Sequence, residues 1–151
     1  MLRLSREADY SLLAMMYISA RPEGSLSFRR EIAAHYNIPS EFLAKVLQKL
    51  SRHGLVRSFR GMNGGYVLGR EADRITLADI IEAVDGPVGL VDCQCGDRVC
   101  EQEAVCTVQS ALHGVRQEIR KVLEDVSLTD MRRRLQRENE PRLIALRAAH
   151  R

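Results

Sequence analysis

The chain has 151 residues, of which 45% are hydrophobic and 28% charged, and its formal net charge at pH 7 is +3. This length suits one compact domain, or a small domain with a helical arm, and no apolar run approaches the roughly 18 residues that cross a bilayer. The apolar run at 12–18 follows charged residues and lacks a small-residue cleavage site, which argues against a signal peptide, so we expect a cytoplasmic protein with no membrane partner.

Charge is unevenly distributed along the chain. Residues 40–70 hold six Lys and Arg against one Glu, whereas residues 71–106 hold nine acidic residues against two Arg. Charge alone is equally compatible with a chance partition of solvated side chains. The basic block indicates a polyanionic partner only if its shape fits one.

Three helices are predicted at the start of the chain. Ser5 is a plausible N-cap for the first, and the second follows Ser27 and runs to about Tyr36. Ser40 is the predicted N-cap of the third helix, which covers about 41–53. The apolar stripe of this third helix, at spacings of three and four, consists of Phe42, Leu43, Val46, Leu47 and Leu50.

A basic β-hairpin is predicted directly after the third helix. Gly54 ends the helix, and residues 55–60 and 66–68 have strand composition. The glycine-rich tip between them, at 61–65, tolerates positive φ. Three helices followed by a hairpin is the order of a winged helix-turn-helix domain, in which a helix enters the DNA major groove.

The predicted DNA-binding surface combines the exposed face of the third helix with the hairpin tip. Basic side chains there would attract phosphates, the first residues of the helix would meet base edges, and the glycines would let backbone approach the duplex. The simpler alternatives are a solvated helix face and an ordinary tight hairpin. The candidate DNA-binding residues are Ser40, Glu41, Ala44, Lys45, Lys49, Arg60, Gly61 and Gly64, with Arg52 as a further phosphate contact.

Two more helices with capping signals are predicted, with a long helix between them. Thr76 with Asp79 resembles a capping box for a helix that Gly86 closes, and Ser127 with Asp130 begins the last helix. Between them, apolar residues at alternating spacings of four and three form a heptad seam: Val108, Leu112, Val115, Ile119, Val122 and Val126. The seam either packs on its own domain or, as we prefer, joins two chains in a homodimer that binds a near-palindromic promoter site on double-stranded DNA.

The predicted fold class is therefore mainly α with a small β-hairpin: a winged helix-turn-helix domain plus a long dimerisation helix. The expected domains are a DNA-binding domain at 1–86, a cysteine-rich loop at 87–106, and a dimerisation helix with a helical tail at 107–151. No phosphate-binding glycine loop precedes a helix and no His lies in a motif with the cysteines, so an enzyme is not expected.

All four cysteines lie within the segment "CQCGDRVCEQEAVC", residues 93–106. Clustered thiols in a reducing compartment favour metal or redox chemistry over structural disulfides. The spacing is not the paired CxxC of zinc ribbons, whereas separated thiolates are soft ligands that suit an iron–sulfur cluster. A zinc site and a cluster-free thiol switch remain alternatives. The latter would make the protein a winged-helix regulator that responds to an oxidant or a protein partner.

Four segments of the chain together resemble the IscR/NsrR/RirA regulators of the Rrf2 superfamily, most of all those that control iron–sulfur cluster assembly. They are "MLRLSREADYSLLAMMYIS", "FLAKVLQKLSRHGLVRSFRGMNGGYVLGR", "ITLADIIEAVDGP" and the cysteine segment, with "SLTDM" following the long helix. The resemblance covers about residues 1–131. It implies a dimeric, winged-helix regulator of promoter DNA that senses iron–sulfur cluster, redox or nitric oxide status.

The resemblance also implies a set of cluster ligands. The usual three-cysteine spacing is met by Cys93, Cys100 and Cys106, with Cys95 as a spare or alternate ligand. Some members of the family use a histidine three residues after the last cysteine, and that position is Gln109 here. The resemblance implies Asp9 of the second protomer as one candidate for the fourth ligand, and Cys95 is the other. A two-iron and a four-iron cluster are both compatible with this set.

Overall fold

The computed structural model describes residues 3–61, 64–91 and 105–137. The helices are α1 (Arg6–Ala20), α2 (Arg29–Tyr36), α3 (Ser40–Arg52), α4 (Leu77–Asp85) and α5 (Gln109–Glu124), and residues 128–137 are helical as α6. Strands β1 (Val56–Ser58) and β2 (Tyr66–Leu68) form an antiparallel pair, and a 3-10 turn covers Ala72–Arg74. The predicted fold class is confirmed.

Local capping chemistry sets where α1 and α3 begin. The Ser5 hydroxyl accepts a 3.0 Å hydrogen bond from the backbone N–H of Ala8, as the sequence predicts for an N-cap. The prediction that Ser40 caps α3 is wrong by one position. Pro39 is the N-cap, because its carbonyl already accepts from the Leu43 N–H at 3.0 Å, and Ser40 is the first helical residue.

Ser27 does not cap α2, which starts at Arg29 after Phe28. Ser27 instead forms an isolated β-bridge with Tyr66, in which each residue donates its N–H to the other's carbonyl at 2.9 Å. The β1–β2 hairpin, which is the wing of this winged-helix fold, is thereby tied to the segment that leads into α2. This long-range backbone pairing has no local sequence signal.

One hydrophobic core joins the helices to the base of the wing. Helices α1, α2, α3, α4 and α6 all contribute large, fully buried side chains, as do the segments before β1 and α4: Met15, Ile32, Leu43, Leu47, Leu50, Leu55, Ile75, Ile80 and Leu128. Leu128 belongs to α6, so a residue beyond the predicted DNA-binding domain completes that domain's core. The C-terminal end of the described chain is therefore part of the same folded unit.

Two capping boxes lie side by side where α4 and α6 begin. In each, a hydroxyl and a carboxylate bond reciprocally to backbone N–H groups, through Thr76 with Asp79 and Ser127 with Asp130. Hydrogen bonds from the Ser127 side chain and then its backbone lower the pKa of Asp130 below its usual value. Thr76 and Ser127 also form an antiparallel bridge, which fixes the end of α5 to the winged domain.

Replacing Leu128 by alanine is expected to destabilise the whole winged domain by about 2–5 kcal/mol, because it leaves a cavity in a fully buried position. Urea unfolding followed by circular dichroism measures this change. Leu135→Ala in the same helix is the matched control, since Leu135 is 48% exposed and its truncation should cost less than about 0.5 kcal/mol. Equal unfolding free energies for the two variants would contradict the conclusion that Leu128 belongs to the core of the winged domain.

Candidate DNA-binding surface and cysteine segment

Helix α3 buries one stripe and presents a polar face to solvent. Leu43, Val46, Leu47 and Leu50 are buried, whereas Ser40, Glu41, Lys45 and Arg52 are exposed and Ala44 is half-buried. Among the described residues, neither Lys45 nor Arg52 has an ion-pair partner. Their charges are therefore available to an anionic partner in solution.

Lys49 differs from these two cations. The sequence places it on the exposed face of α3, but the structure turns its ammonium group inward. The Lys49 Nζ donates to a Glu7 carboxylate oxygen in α1 and, at 3.0 Å, to the Val84 carbonyl in α4. The side chain is half-buried at the border of the stripe, so its placement on the exposed face needs correction.

The wing begins where α3 ends. Gly54 has a φ of +68°, and the N–H of Leu55 donates to the Leu50 carbonyl at 2.9 Å, so the chain turns directly from α3 into β1. This short connection ties the position of the hairpin to that of α3.

The wing tip depends on two of its glycines. Gly61 has a φ of +112°, and its carbonyl accepts from the Gly64 N–H at 3.0 Å. A Cβ on Gly64 would lie 2.3 Å from the Phe59 carbonyl oxygen, so the turn closes only with glycine there. Arg60 is exposed beside this turn. The tip residues 62–63 lie outside the described residues.

Helix α5 carries four of the six residues of the predicted heptad seam, while Val108 is its N-cap and Val126 lies just beyond its C-terminal end. Much of the seam faces solvent in the single chain. Val108, Val115 and Val122 are 55%, 49% and 64% exposed. Leu112, Ile119 and Val126 are half-buried, and Leu123 next to the seam packs against the core. Three valines one heptad apart thus form an apolar row that nothing in the described part of this chain covers.

The cysteine segment is only partly described. Cys106 lies just before α5 as a half-buried free thiol, whereas Cys93, Cys95 and Cys100 lie outside the described residues. Asp9 is exposed in the first turn of α1. Within the described ranges, no group of three or more His, Cys, Asp and Glu side chains is placed to hold a metal ion.

A model of a known protein family matches residues 4–134, with the description Rrf2, iron-dependent transcriptional regulator. The chain belongs to the Rrf2 family. It is a transcriptional regulator with the winged-helix fold, as the sequence resemblance predicts, and DNA binding is the shared activity of this family.

Solved structures of Rrf2 relatives cover most of the chain. CymR of B. subtilis, described as the global cysteine regulator, is 31% identical with a TM-score of 0.70, over 87% of this chain and 96% of CymR. IscR of T. potens is 25% identical with a TM-score of 0.69, over 89% and 88% of the two chains. The oxidized form of Staphylococcus aureus CymR is 25% identical with a TM-score of 0.66, over 86% and 95%.

Three side-chain contacts of this Rrf2 chain had no sequence signal. The Ser5 hydroxyl donates to the Asp85 carboxylate at 2.5 Å, and Lys49 bonds to both Glu7 and Val84. Their partners lie 35 to 80 positions apart in the chain. Only the packing of α1, α3 and α4 brings them together.

None of the helices in the described ranges has the length and apolar character needed to span a bilayer.

Proposed function

We propose that this Rrf2 regulator binds double-stranded promoter DNA as a homodimer and senses iron–sulfur cluster, redox or nitric oxide status through its cysteines. Genes of iron–sulfur cluster assembly or iron metabolism are the proposed targets. The observation that carries the proposal is a solvent-facing basic helix and wing in the same chain as four closely spaced cysteines. Both features precede the helix with the uncovered apolar row in the chain.

The proposed DNA surface is the exposed face of α3 together with the wing tip. Ser40 is already helical and its hydroxyl is not used as a cap, so it remains available to a base edge or phosphate. Glu41 and Ala44 follow on the same side, while Lys45 and Arg52 attract phosphates. Arg60, with the Gly61–Gly64 turn beside it, would approach the adjacent minor groove.

The proposed homodimer forms through the seam of α5. Val108, Val115 and Val122 would leave water on pairing, with Leu112, Ile119 and Val126 completing the seam. Because the end of α5 is fixed to the winged domain by the Thr76–Ser127 bridge, pairing would also fix the distance between the two recognition helices. Two half-sites one helical turn apart need such a fixed distance.

The proposed metal ligands are Cys93, Cys100 and Cys106, with Asp9 from the second protomer as the fourth. The donor set fits: thiolates are soft ligands for iron, and Cys106 is a partly accessible free thiol where the segment meets α5. When bound, an iron–sulfur cluster supplies iron that changes oxidation state and reacts with oxygen or nitric oxide. The chain's own contribution is positional, because the segment joins the end of α4 to the start of α5.

A cluster-free thiol switch is the second candidate, and the comparisons give it specific support. One similar structure is a global cysteine regulator, and another is an oxidized form of the same kind of regulator. In this version the thiol of Cys106 and a second cysteine would be oxidised to a disulfide by a peroxide, which is reduced to water. DNA affinity would then depend on thiol oxidation and not on iron.

Replacing Lys45 by glutamine is expected to weaken binding to all duplexes alike and to reduce the slope of log affinity against log salt by about 0.9, the value for one phosphate contact. Fluorescence anisotropy on an operator selected from random-sequence duplexes, at several salt concentrations, measures both changes. Gln48→Ala on the same exposed face is the matched neutral control and should keep the slope. An unchanged slope for Lys45→Gln would contradict the proposed surface.

A further inference from the structure

Three helices meet at the side chain of Lys49. The ammonium group lies between the Glu7 carboxylate in the first turn of α1 and the Val84 carbonyl in the last turn of α4. Lys49 itself belongs to the last turn of α3. This one side chain therefore bonds α3, the proposed recognition helix, to two of the helices that pack against it, α1 and α4.

The contact with α4 meets a need of that helix. The last carbonyls of a helix lack intrahelical partners and carry partial negative charge, which a nearby cation stabilises. α4 has no basic residue in its own last turn. Lys49 of α3 supplies a hydrogen-bond donor to one of these carbonyls and a positive charge beside them, so α3 contributes to stabilising the end of α4.

A second hydrogen bond closes the same junction. The Ser5 hydroxyl, which caps α1, donates to the carboxylate of Asp85, the last residue of α4. The first turn of α1 thus contacts the end of α4 through Ser5 and the end of α3 through Glu7. Asp9, the proposed fourth ligand, lies two positions from Glu7, and the cysteine segment begins at residue 93, shortly after α4 ends at Asp85.

We propose that Lys49 is a positioning residue that links the cysteine segment to the recognition helix and is not a phosphate contact. The inference rests on the proposed sensing function. A displacement of the end of α4 or of the first turn of α1 moves the Lys49 ammonium group, which is bonded to both. Lys49 transmits this displacement to the end of α3. The recognition helix then changes its position on DNA while Lys45 and Arg52 keep their phosphate contacts.

The test compares Lys49→Gln and Glu7→Gln with Lys45→Gln as the phosphate-contact control. Anisotropy titrations of one operator, with iron-loaded and with iron-free protein, give the affinity ratio between the two states, and a salt series gives the slope. Wild type is expected to show a ratio of about 5 to 150. Lys49→Gln and Glu7→Gln should each give an affinity ratio within about twofold of one and should keep the wild-type salt slope. Lys45→Gln should keep the wild-type affinity ratio and lower the salt slope by about 0.9.

Glu7→Gln is the deciding variant, because it leaves the charge of Lys49 intact. If Lys49 contacted phosphate, releasing it from Glu7 would keep or raise DNA affinity, and Lys49→Gln alone would reduce the slope; that result overturns the inference. Thermal melts by circular dichroism confirm that each variant is folded.

The proposed sensing function can fail separately. A wild-type affinity ratio of one between iron-loaded and iron-free protein refutes sensing. The role of Lys49 is then tested with either form of the protein alone. Equal losses of affinity in Lys49→Gln and Glu7→Gln at unchanged slope support positioning. A loss confined to Lys49→Gln, with a reduced slope, refutes it.

Discussion

Glutamate at both Val115 and Val122 is expected to convert the dimer into monomers and to lower affinity for a two-half-site operator by about 10²- to 10⁴-fold. The two valines are 49% and 64% exposed in the single chain, so the substitutions cost the monomer little. In a paired seam the same changes would bring four carboxylates together in an apolar interface. The second half-site would then no longer gain from the high effective concentration that the dimer provides.

Sedimentation velocity measures the oligomeric state, and anisotropy on whole and half operators measures affinity. Gln117→Glu is the matched control, because Gln117 is exposed on α5 at a position opposite the heptad seam. It adds one carboxylate to the same helix, against two in the double variant, and should remain dimeric with nearly unchanged affinity. A Val115→Glu/Val122→Glu variant that stays dimeric would show that α5 does not form the interface.

Serine at Cys93, Cys100 and Cys106 together is expected to abolish iron binding and visible colour in protein purified without oxygen. Serine hydroxyls are hard, weakly acidic ligands and do not replace thiolates on iron. Iron and sulfide counting with a visible spectrum measures the loss, and operator affinity should become independent of iron. Because these residues lie in a polar segment and Cys106 is only half-buried, the winged domain should stay folded.

Cys95→Ser tests the assignment within the segment and should retain iron if Cys95 is a spare ligand. Loss of iron in Cys95→Ser but not in Cys93→Ser would exchange their roles. Colourless, iron-poor wild-type protein whose DNA affinity still responds to peroxide would support the thiol switch in place of the cluster.

Local interactions made much of the fold predictable. The Ser5 cap and the Thr76–Asp79 and Ser127–Asp130 boxes each join residues three positions apart, so their signals lie within a single turn. The apolar stripe of α3 likewise follows from helical periodicity. The N-cap of α3 was missed because Pro39 supplies its backbone carbonyl, while the more typical capping residue Ser40 lies inside the helix.

Contacts between distant segments could not be predicted. The Ser27–Tyr66 and Thr76–Ser127 bridges pair backbones, which carry no residue-specific signal, and both position elements of the site. Lys49 lies at the edge of the exposed face, where periodicity cannot decide between solvent and a neighbouring helix. Its partner Glu7 is 42 positions away.

The sequence predicted which kinds of residue form the candidate site, but not how these residues are arranged in space. Helix order and the glycine turn predict the candidate DNA surface, and the residue type and spacing of the cysteines indicate soft-metal or redox chemistry. In the proposed homodimer, the seam of α5 and the ligand Asp9 would act together with a second protomer. Their arrangement would then be set by pairing between chains and not by local sequence.

The affinity of wild-type protein for one selected operator, measured without oxygen at fixed salt before and after iron removal, tests the central claim most directly. If the cysteine segment governs how the dimer binds DNA through iron, the two affinities differ by at least about fivefold, in either direction. Equal affinities, with iron shown to be present in the first sample and absent from the second, would contradict it.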